Sequence, residues 1–176
     1  MPTYTLNELI EEMEPQRERD RTLAKSVIKG LTEYAAGLRR KGTPEDQAKI
    51  PALRQMIGNF ADYWVLSEEP GGMDAMGHQK NFDHRMETAN TKTKRLPPLG
   101  DQIDTLLGLY RYAEDLIHNF GSEAREDVAD CRALFQEVKA YWKLSAPLLD
   151  QLYDKIDTTM QEQILHEKDL EMGGIQ

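Results

Sequence analysis

Residues 21–42 read Arg-Thr-Leu-Ala-Lys-Ser-Val-Ile-Lys-Gly-Leu-Thr-Glu-Tyr-Ala-Ala-Gly-Leu-Arg-Arg-Lys-Gly, and this stretch decides the fold class. Its large apolar residues are spaced three or four positions apart, which is the spacing of one face of an α-helix. They are Leu23, Val27, Leu31, Tyr34 and Leu38. The basic residues 39–41 suit the negative end of a helix dipole, and Gly42 suits a helix end. The pattern therefore predicts a long helix that buries one face.

The same helical spacing continues on both sides of this stretch. On the N-terminal side, Thr5 and Glu8 have the spacing of a capping box, and Pro15 predicts a break between a short first helix and the long one. On the C-terminal side, Thr43 and Pro44 predict a cap and a first helical position. No alternating strand pattern and no hairpin turn interrupts the apolar faces that follow. The sequence predicts an all-α fold, an antiparallel bundle of five or six helices.

A polar loop at about residues 67–100 is predicted to join two halves of this bundle. Three glycines and one proline lie within residues 67–77, and no helical period persists there. From residue 78 to 95 the only apolar anchors are Phe82 and Met86, so at most one loosely held helix fits. The predicted organisation is an N-terminal helical half (1–66), a loop and basic connector (67–100) and a C-terminal three-helix half (101–176), within one compact domain.

The composition argues against disulfide-stabilised, zinc-ribbon and membrane-spanning proteins. The chain has 176 residues, enough to bury a core without a disulfide or a metal. Its one cysteine, Cys131, excludes an internal disulfide and a C-x-x-C zinc site, and it lies on the apolar stripe of a predicted helix. No apolar run is long enough for a membrane span, and the first residues lack the order of a signal peptide, so we expect no membrane partner.

The charge is unevenly distributed along the chain. The formal net charge of −9 disfavours a general nucleic-acid-binding surface, yet residues 78–95 carry +3, so nucleic acid is expected at most locally there. Such a basic stretch predicts contact with an acidic partner or an acidic face of a second copy. A solvated polar linker is the alternative. The predicted contact residues are Lys80, Arg85, Lys92, Lys94 and Arg95 on the basic side, and Asp154, Asp157, Glu162 and Glu167 on the last helix.

Metal chemistry stays open as an alternative. Glu114 and His118, like Glu162 and His166, are four residues apart and could meet across a bundle, although such pairs also form ordinary solvated contacts. Magnesium would need paired acids on two helices. The candidates are Glu123, Glu126, Asp127 and Asp130, with Glu8, Glu11, Glu12 and Glu14 as a second set. An acidic first helical turn explains the first set equally well. We therefore assign no catalytic, cofactor-binding or metal residue and expect no cofactor.

Two segments in the second half resemble small tailed-bacteriophage proteins. Residues 95–106, Arg-Leu-Pro-Pro-Leu-Gly-Asp-Gln-Ile-Asp-Thr-Leu, are similar to a recurring segment of the form Arg-x-Pro-Pro-Ile-Gly-Asp-Gln-Leu-Asp-x-Leu in those proteins. Residues 134–142 are similar to a second segment, Ile/Val-x-x-Val-Lys-x-x-Tyr-Pro, with Trp142 where the family has proline. The resemblance implies a phage gene product encoded near tail genes, and it brings no catalytic residues with it.

The expected function is a non-enzymatic bacteriophage protein that acts by protein–protein contact as a virion or tail-region structural or assembly component. Its expected partners are other phage structural proteins or itself, and its expected location is the host cytoplasm and then the virion. One alternative is an acidic phage inhibitor of a host nucleic-acid-binding defence protein, and another is a metal-dependent all-α phosphohydrolase.

Charge reversal tests the electrostatic part of this expectation. Changing Lys92, Lys94 and Arg95 to glutamate should weaken assembly with the partner and flatten its salt dependence, because fewer opposite charges would meet. Assembly is measured by co-sedimentation at low and high salt. Unchanged assembly and an unchanged salt dependence would rule out a charge-driven contact here.

Overall fold

The computed structural model describes residues 6–89 and 96–173, with side chains from Arg19 to Met172 outside the gap. In these ranges there are six α-helices, two short 3-10 helices and no strand, which confirms the predicted all-α class. No helix in the described part of the chain is long and apolar enough to cross a membrane. The α-helices are α1 (Leu6–Lys41), α2 (Pro44–Tyr63), α3 (Ala75–Thr88), α4 (Leu99–Phe120), α5 (Arg125–Tyr141) and α6 (Pro147–Gly173); the 3-10 helices are Leu66–Glu68 and Gly121–Ala124.

Local capping explains where α1 ends and where α2 and α3 begin. Gly42 adopts a φ of +69°, the left-handed conformation that glycine accepts without a steric penalty, directly after the last residue of α1. The Thr43 hydroxyl accepts a hydrogen bond from the Asp46 amide at 3.2 Å, as the sequence predicted. The Asp74 carboxylate accepts from the Gly77 amide at 2.8 Å and so caps α3.

The predicted break at Pro15 is wrong, because α1 continues through this residue from Leu6 to Lys41. Pro51 likewise lies inside α2 without ending it. A proline inside a helix removes one backbone hydrogen bond and crowds the preceding turn. In α2 this cost is offset by burial of an apolar face beyond the proline, since Leu53, Ile57 and Phe60 are all buried.

The predicted polar loop at 67–100 is shorter than expected, because it contains α3. Phe82 and Met86 are buried, with 1% and 8% of their surface exposed. These two side chains hold α3 against α1 and α2. Two large apolar residues one helical turn apart therefore suffice to dock a helix that is otherwise polar.

The start of α4 follows directly after two prolines. The helix begins at Leu99, and Asp101 lies in its first turn. The Pro98 carbonyl accepts the Gln102 amide at 3.0 Å, and the Pro97 carbonyl accepts the Gln102 side-chain nitrogen at 2.9 Å. The Pro98 carbonyl thus accepts the first intrahelical hydrogen bond of α4, and the Pro97 carbonyl holds the Gln102 side chain beside the helix entrance.

The chain divides into two compact units, Met1–Thr105 and Leu106–Gln176. In the first unit α1 packs against both α2 and α3, and α2 packs against α3. Its largest fully buried side chains are Val27, Leu31, Ile57, Phe60, Leu66 and Phe82. α1, α2 and α3 therefore form a three-helix core in which each helix packs against the other two.

The second unit contains the rest of α4 together with α5 and α6. The Cys131 thiol on α5 donates to the Leu109 carbonyl on α4 at 3.2 Å. α5 meets α6 where the Arg132 guanidinium lies 3.8 Å from the centre of the Tyr153 ring and donates to the Tyr153 carbonyl at 3.0 Å. The largest fully buried side chains here are Leu106, Leu109, Ile117, Phe135, Val138 and Ile156.

A close crossing of α1 and α4 lies inside the first unit. Thr105 is fully buried, and its hydroxyl lies 2.8 Å from the Asp101 carbonyl and 3.4 Å from the Ser26 carbonyl on α1. The crossing needs glycine at position 30, because a β-carbon there would lie 2.8 Å from the Thr105 β-carbon and overlap its hydroxyl. Threonine is too short to bend away, so the two helix backbones would have to separate.

We therefore expect Gly30→Ala to lower the free energy of unfolding by about 1–3 kcal/mol, the usual cost of forcing extra atoms into a packed site. Urea denaturation followed by circular dichroism measures it. Gly100→Ala is the matched control, since Gly100 is helical and has no atom within 4 Å of its added β-carbon. The control should be neutral or stabilising by up to about 1 kcal/mol. Equal stability of the two variants would contradict the close crossing.

Candidate functional site

The polar side of α1 in the first unit carries Lys25, Lys29 and Glu33 at intervals of four residues. Residues four apart lie on one face of a helix, so the three side chains form a line along α1. A cavity lies on each side of this line, and the three residues line both cavities. The candidate site is thus built on the helix that organises the unit.

The first cavity, called here the polar cavity, lies between α1 and α3. It has a volume of about 280 Å³. α3 contributes His78, Asn81 and Arg85 to its wall, together with the buried ring of Phe82. Because these residues follow the helical spacing, one face of α3 both anchors the helix and lines the cavity.

Glu33 of α1 and Arg85 of α3 form an ion pair in the wall of the polar cavity. The Arg85 guanidinium donates to both carboxylate oxygens of Glu33, from Nε at 2.8 Å and from Nη2 at 2.9 Å. This hydrogen bonding lowers the pKa of Glu33 below its ordinary value of 4.5, although partial burial opposes the shift. A bidentate ion pair of this kind fixes the relative orientation of the guanidinium and carboxylate groups as well as the distance between them.

His78 lies in the same cavity and is held neutral. Burial lowers the pKa of its imidazole below 6.5, Lys25 adds to the shift and Asp74 opposes it. The His78 Nε2 atom is buried and has no hydrogen-bond partner among the described residues, and the same is true of Arg85 Nη1. Unpartnered buried polar atoms are rare in folded proteins, so these two nitrogens call for an explanation.

The second cavity, called here the proline-walled cavity, lies on the other side of the α1 line. It has a volume of about 710 Å³, and Leu96, Pro97 and Pro98 form its opposite wall with Asp101. The side chains of Leu96 and Leu99 are 64% and 62% exposed beside it. A cavity of this size with an apolar wall and a few polar groups is typical of ligand and peptide sites.

The basic contact residues predicted from sequence fall in different environments. Lys80 lies on α3 and is exposed. Arg85 is engaged with Glu33 inside the first unit. Lys92, Lys94 and Arg95 lie outside the described residues. Sequence reasoning missed Lys25 and Lys29, although their four-residue spacing on the polar side of α1 was a usable signal. The partner contact itself stays a prediction.

The acidic contact residues lie on α6 in the second unit. Asp154, Asp157 and Glu162 are exposed. Glu167 is half-buried, and its carboxylate accepts the Ser122 amide at 3.2 Å. Hydrogen bonds from Ser122 lower the pKa of Glu167 below its ordinary value. Ser122 thus interacts with α6 from the 3-10 turn before α5.

The residues considered for metal binding do not form a cluster. Within residues 6–89 and 96–173, no group of three or more His, Cys, Asp and Glu side chains is placed to hold a metal ion. His118 Nε2 lies 3.8 Å from Glu114 Oε1, the local contact that their spacing allows. Glu123, Glu126, Asp127 and Asp130 are exposed, and the side chains of Glu8, Glu11, Glu12 and Glu14 lie outside the described part.

Cys131 occupies the core of the second unit, as the apolar stripe of its helix predicted. It is fully buried, and burial raises the pKa of its thiol to about 12. A thiol with so high a pKa is protonated at neutral pH, and the thiolate is the reactive form. Cys131 therefore acts as a small packing residue and a weak donor to Leu109.

Comparison of the chain with protein-family models, with curated proteins and with solved structures finds no match.

The Glu33–Arg85 pair gives a prediction about stability and pH. Replacing Glu33 by glutamine should lower the free energy of unfolding at pH 7 by about 1–2 kcal/mol, because Arg85 loses a charged acceptor. The pKa of Glu33 is depressed on folding, so its contribution is present above the ordinary value of 4.5 and is lost as the pH falls through the folded value. The deficit of the variant should therefore shrink toward pH 3, measured by urea denaturation.

The control is Asp83→Asn, which removes the Arg54–Asp83 pair. That pair is also bidentate, with distances of 2.8 and 3.1 Å. Its side chains are more exposed, at 43% for Arg54 and 46% for Asp83, against 21% for Arg85 and 27% for Glu33. Solvent screens the more exposed pair, so the control should lose less stability. A larger loss for Asp83→Asn, or a Glu33→Gln deficit independent of pH, would contradict this interpretation.

Proposed function

We propose that the chain acts by protein–protein contact, without catalysing a reaction, as a structural or assembly component of the virion or tail region of a tailed bacteriophage. The observation that carries the proposal is the segment at residues 95–106, whose resemblance to small phage proteins suggested this class. Its Leu96–Pro98 portion walls a cavity, and Leu96 and Leu99 expose most of their side chains to solvent beside it.

Exposed apolar side chains support a contact function in the second unit as well. Leu165, Leu170 and Met172 near the end of α6 are 59%, 64% and 72% exposed. Leu165 and Met172 are seven residues apart and so lie on one face of α6, and exposed apolar side chains that share a face are candidates for an interaction site. Each unit thus has a surface on which a partner would bury apolar area.

The burial of the Cys131 thiol also favours a contact function over catalysis. Cys131 is the natural first candidate for a nucleophile in a chain with a single cysteine, yet it is buried and its pKa is raised to about 12. Nucleophilic catalysis by cysteine requires the reverse, an accessible thiol with a lowered pKa. This observation favours a binding role over thiol chemistry.

A second candidate is an acidic phage inhibitor of a host nucleic-acid-binding protein. The second unit has fourteen acidic and seven basic residues, a net charge of −7, while the first unit has a net charge of −2. Asp154, Asp157 and Glu162 present exposed carboxylates on α6. Exposed acids on a strongly negative unit are suited to meeting a basic nucleic-acid-binding surface.

Quantitative mass spectrometry separates these two functions. Under the assembly proposal the protein is made in the host cytoplasm and is enriched in purified phage particles relative to infected-cell lysate. Two results together would overturn the assembly proposal and support the inhibitor proposal. The protein would be absent from particles and from their assembly intermediates, and a basic host protein would co-purify with it.

A matched pair of variants tests the contact surface in the same experiment. Leu96→Ser with Leu99→Ser should reduce incorporation into particles, since the exposed side chains cost little to replace in the isolated protein but are buried on contact. Val65→Ser is the control, because Val65 is an exposed apolar residue of the first unit outside the cavity wall. Equal incorporation of both variants would contradict the role of the segment.

A further inference from the structure

Four basic side chains line the polar cavity. Lys25 and Lys29 approach from α1, and His78 and Arg85 approach from α3. Ammonium and guanidinium groups are hydrogen-bond donors without acceptor capacity, so a ligand that offers only acceptors suits them. Carboxylate and phosphate groups are of this kind, and their hydrogen bonds to cations are among the strongest in proteins.

The charge balance of the cavity leaves a positive excess. Glu33 is satisfied by Arg85, and Glu69 lies 2.6 Å from the Lys25 ammonium and 3.9 Å from Arg21 Nε. No ion pair of Lys29 is found among the described residues, and its charge faces the cavity that Lys25 and Arg85 also line. An anion in the cavity would be attracted by the three cationic side chains that line it.

The unpartnered nitrogens belong to the same cavity wall. Arg85 donates from Nε and Nη2 to Glu33, while its Nη1 is buried without a partner among the described residues. His78 Nε2 is likewise buried and has no hydrogen-bond partner among the described residues. Neither nitrogen is exposed in the cavity itself, but a small movement of the Arg85 side chain would bring this charged donor to an acceptor there and offset the cost of leaving it unsatisfied.

We infer that the polar cavity is a binding site for an oxyanion, a phosphate or carboxylate group carried by a ligand. Its volume of about 280 Å³ holds such a group together with the atoms next to it. The proline-walled cavity shares Lys25 and Lys29 with it and has an apolar wall, so it offers room for an uncharged remainder of the same ligand. This inference stands apart from the proposed assembly role and holds or fails without it.

The imidazole of His78 provides the readout. Its neighbours are Lys25, Lys29 and Glu33 on α1, and Asp74 and Arg85 on its own side. In the isolated full chain, inorganic phosphate and citrate are titrated separately at constant ionic strength, with sodium chloride as the blank. Histidine side-chain resonances are followed by NMR. Saturable shifts of His78 and a rise of its pKa are expected, because a nearby anion favours the imidazolium.

His84 serves as the internal control, since it lies exposed on the same helix outside the cavity. Saturation by phosphate alone identifies a phosphate site, and saturation by citrate alone identifies a carboxylate site; either supports the inference. Equal, non-saturating shifts of His78 and His84 with both anions would overturn it.

Two lysine variants give a second, independent criterion. Lys29→Gln should weaken anion binding about fivefold or more, whereas Lys80→Gln, on the exposed side of α3, should leave it unchanged. Lys29→Arg retains the charge and should restore binding. Lys29 is exposed, so these variants are expected to fold, and their amide spectra verify it. If Lys80→Gln weakens binding as much as Lys29→Gln, the effect is general charge attraction and the site is refuted.

Discussion

The first unit depends on the close approach of α1 and α4 at Gly30 and Thr105. At this crossing a β-carbon on residue 30 has no room, and the Thr105 side chain takes its place against α1. α2 and α3 pack on the same helix, whose residues Val27, Leu31 and Ala35 are completely buried. α1 thus contacts α2, α3 and, at Thr105, α4, so a shift of α1 would disturb all three contacts.

The candidate site follows from that arrangement. Because α1 is held by apolar contacts on its buried side, the line of Lys25, Lys29 and Glu33 on its polar side keeps a fixed position relative to α3 and to the Leu96–Pro98 segment. The cavities are therefore features of the packing. A chain with a net charge of −9 nevertheless keeps a cluster of cations in this cleft, where the surrounding protein screens them less than water would.

Helical periodicity predicted most of the fold, since an amphipathic stripe such as the one from Leu23 to Leu38 has few other interpretations. It failed at Pro15, because α1 is continuous through this residue. It also failed where burial outweighed a local rule: Pro51 lies inside α2, whose apolar face is buried beyond it, and α3 forms because Phe82 and Met86 are buried. In α4 apolar residues occur on more than one face, so spacing alone did not reveal that Leu109 and Leu116 are buried while Phe120 is 52% exposed.

The site was less predictable than the fold for a related reason. The basic stretch at 78–95 was visible as a sum of charges, but a sum does not show that Arg85 would be taken up by Glu33, fifty-two residues away. Lys25 and Lys29 were hidden among the ordinary polar residues of an amphipathic helix. Only the packing of α3 and of the Leu96–Pro98 segment beside them gives these lysines a common cavity.

Native-state hydrogen exchange of the full chain tests most directly whether α1 is the element on which the first unit depends. The backbone amides from Val27 to Leu38 should be among the slowest to exchange in this unit, with the free energy of opening equal to that of its global unfolding. Exchange of these amides through local opening, while α2 and α3 stay protected, would contradict the central position of α1.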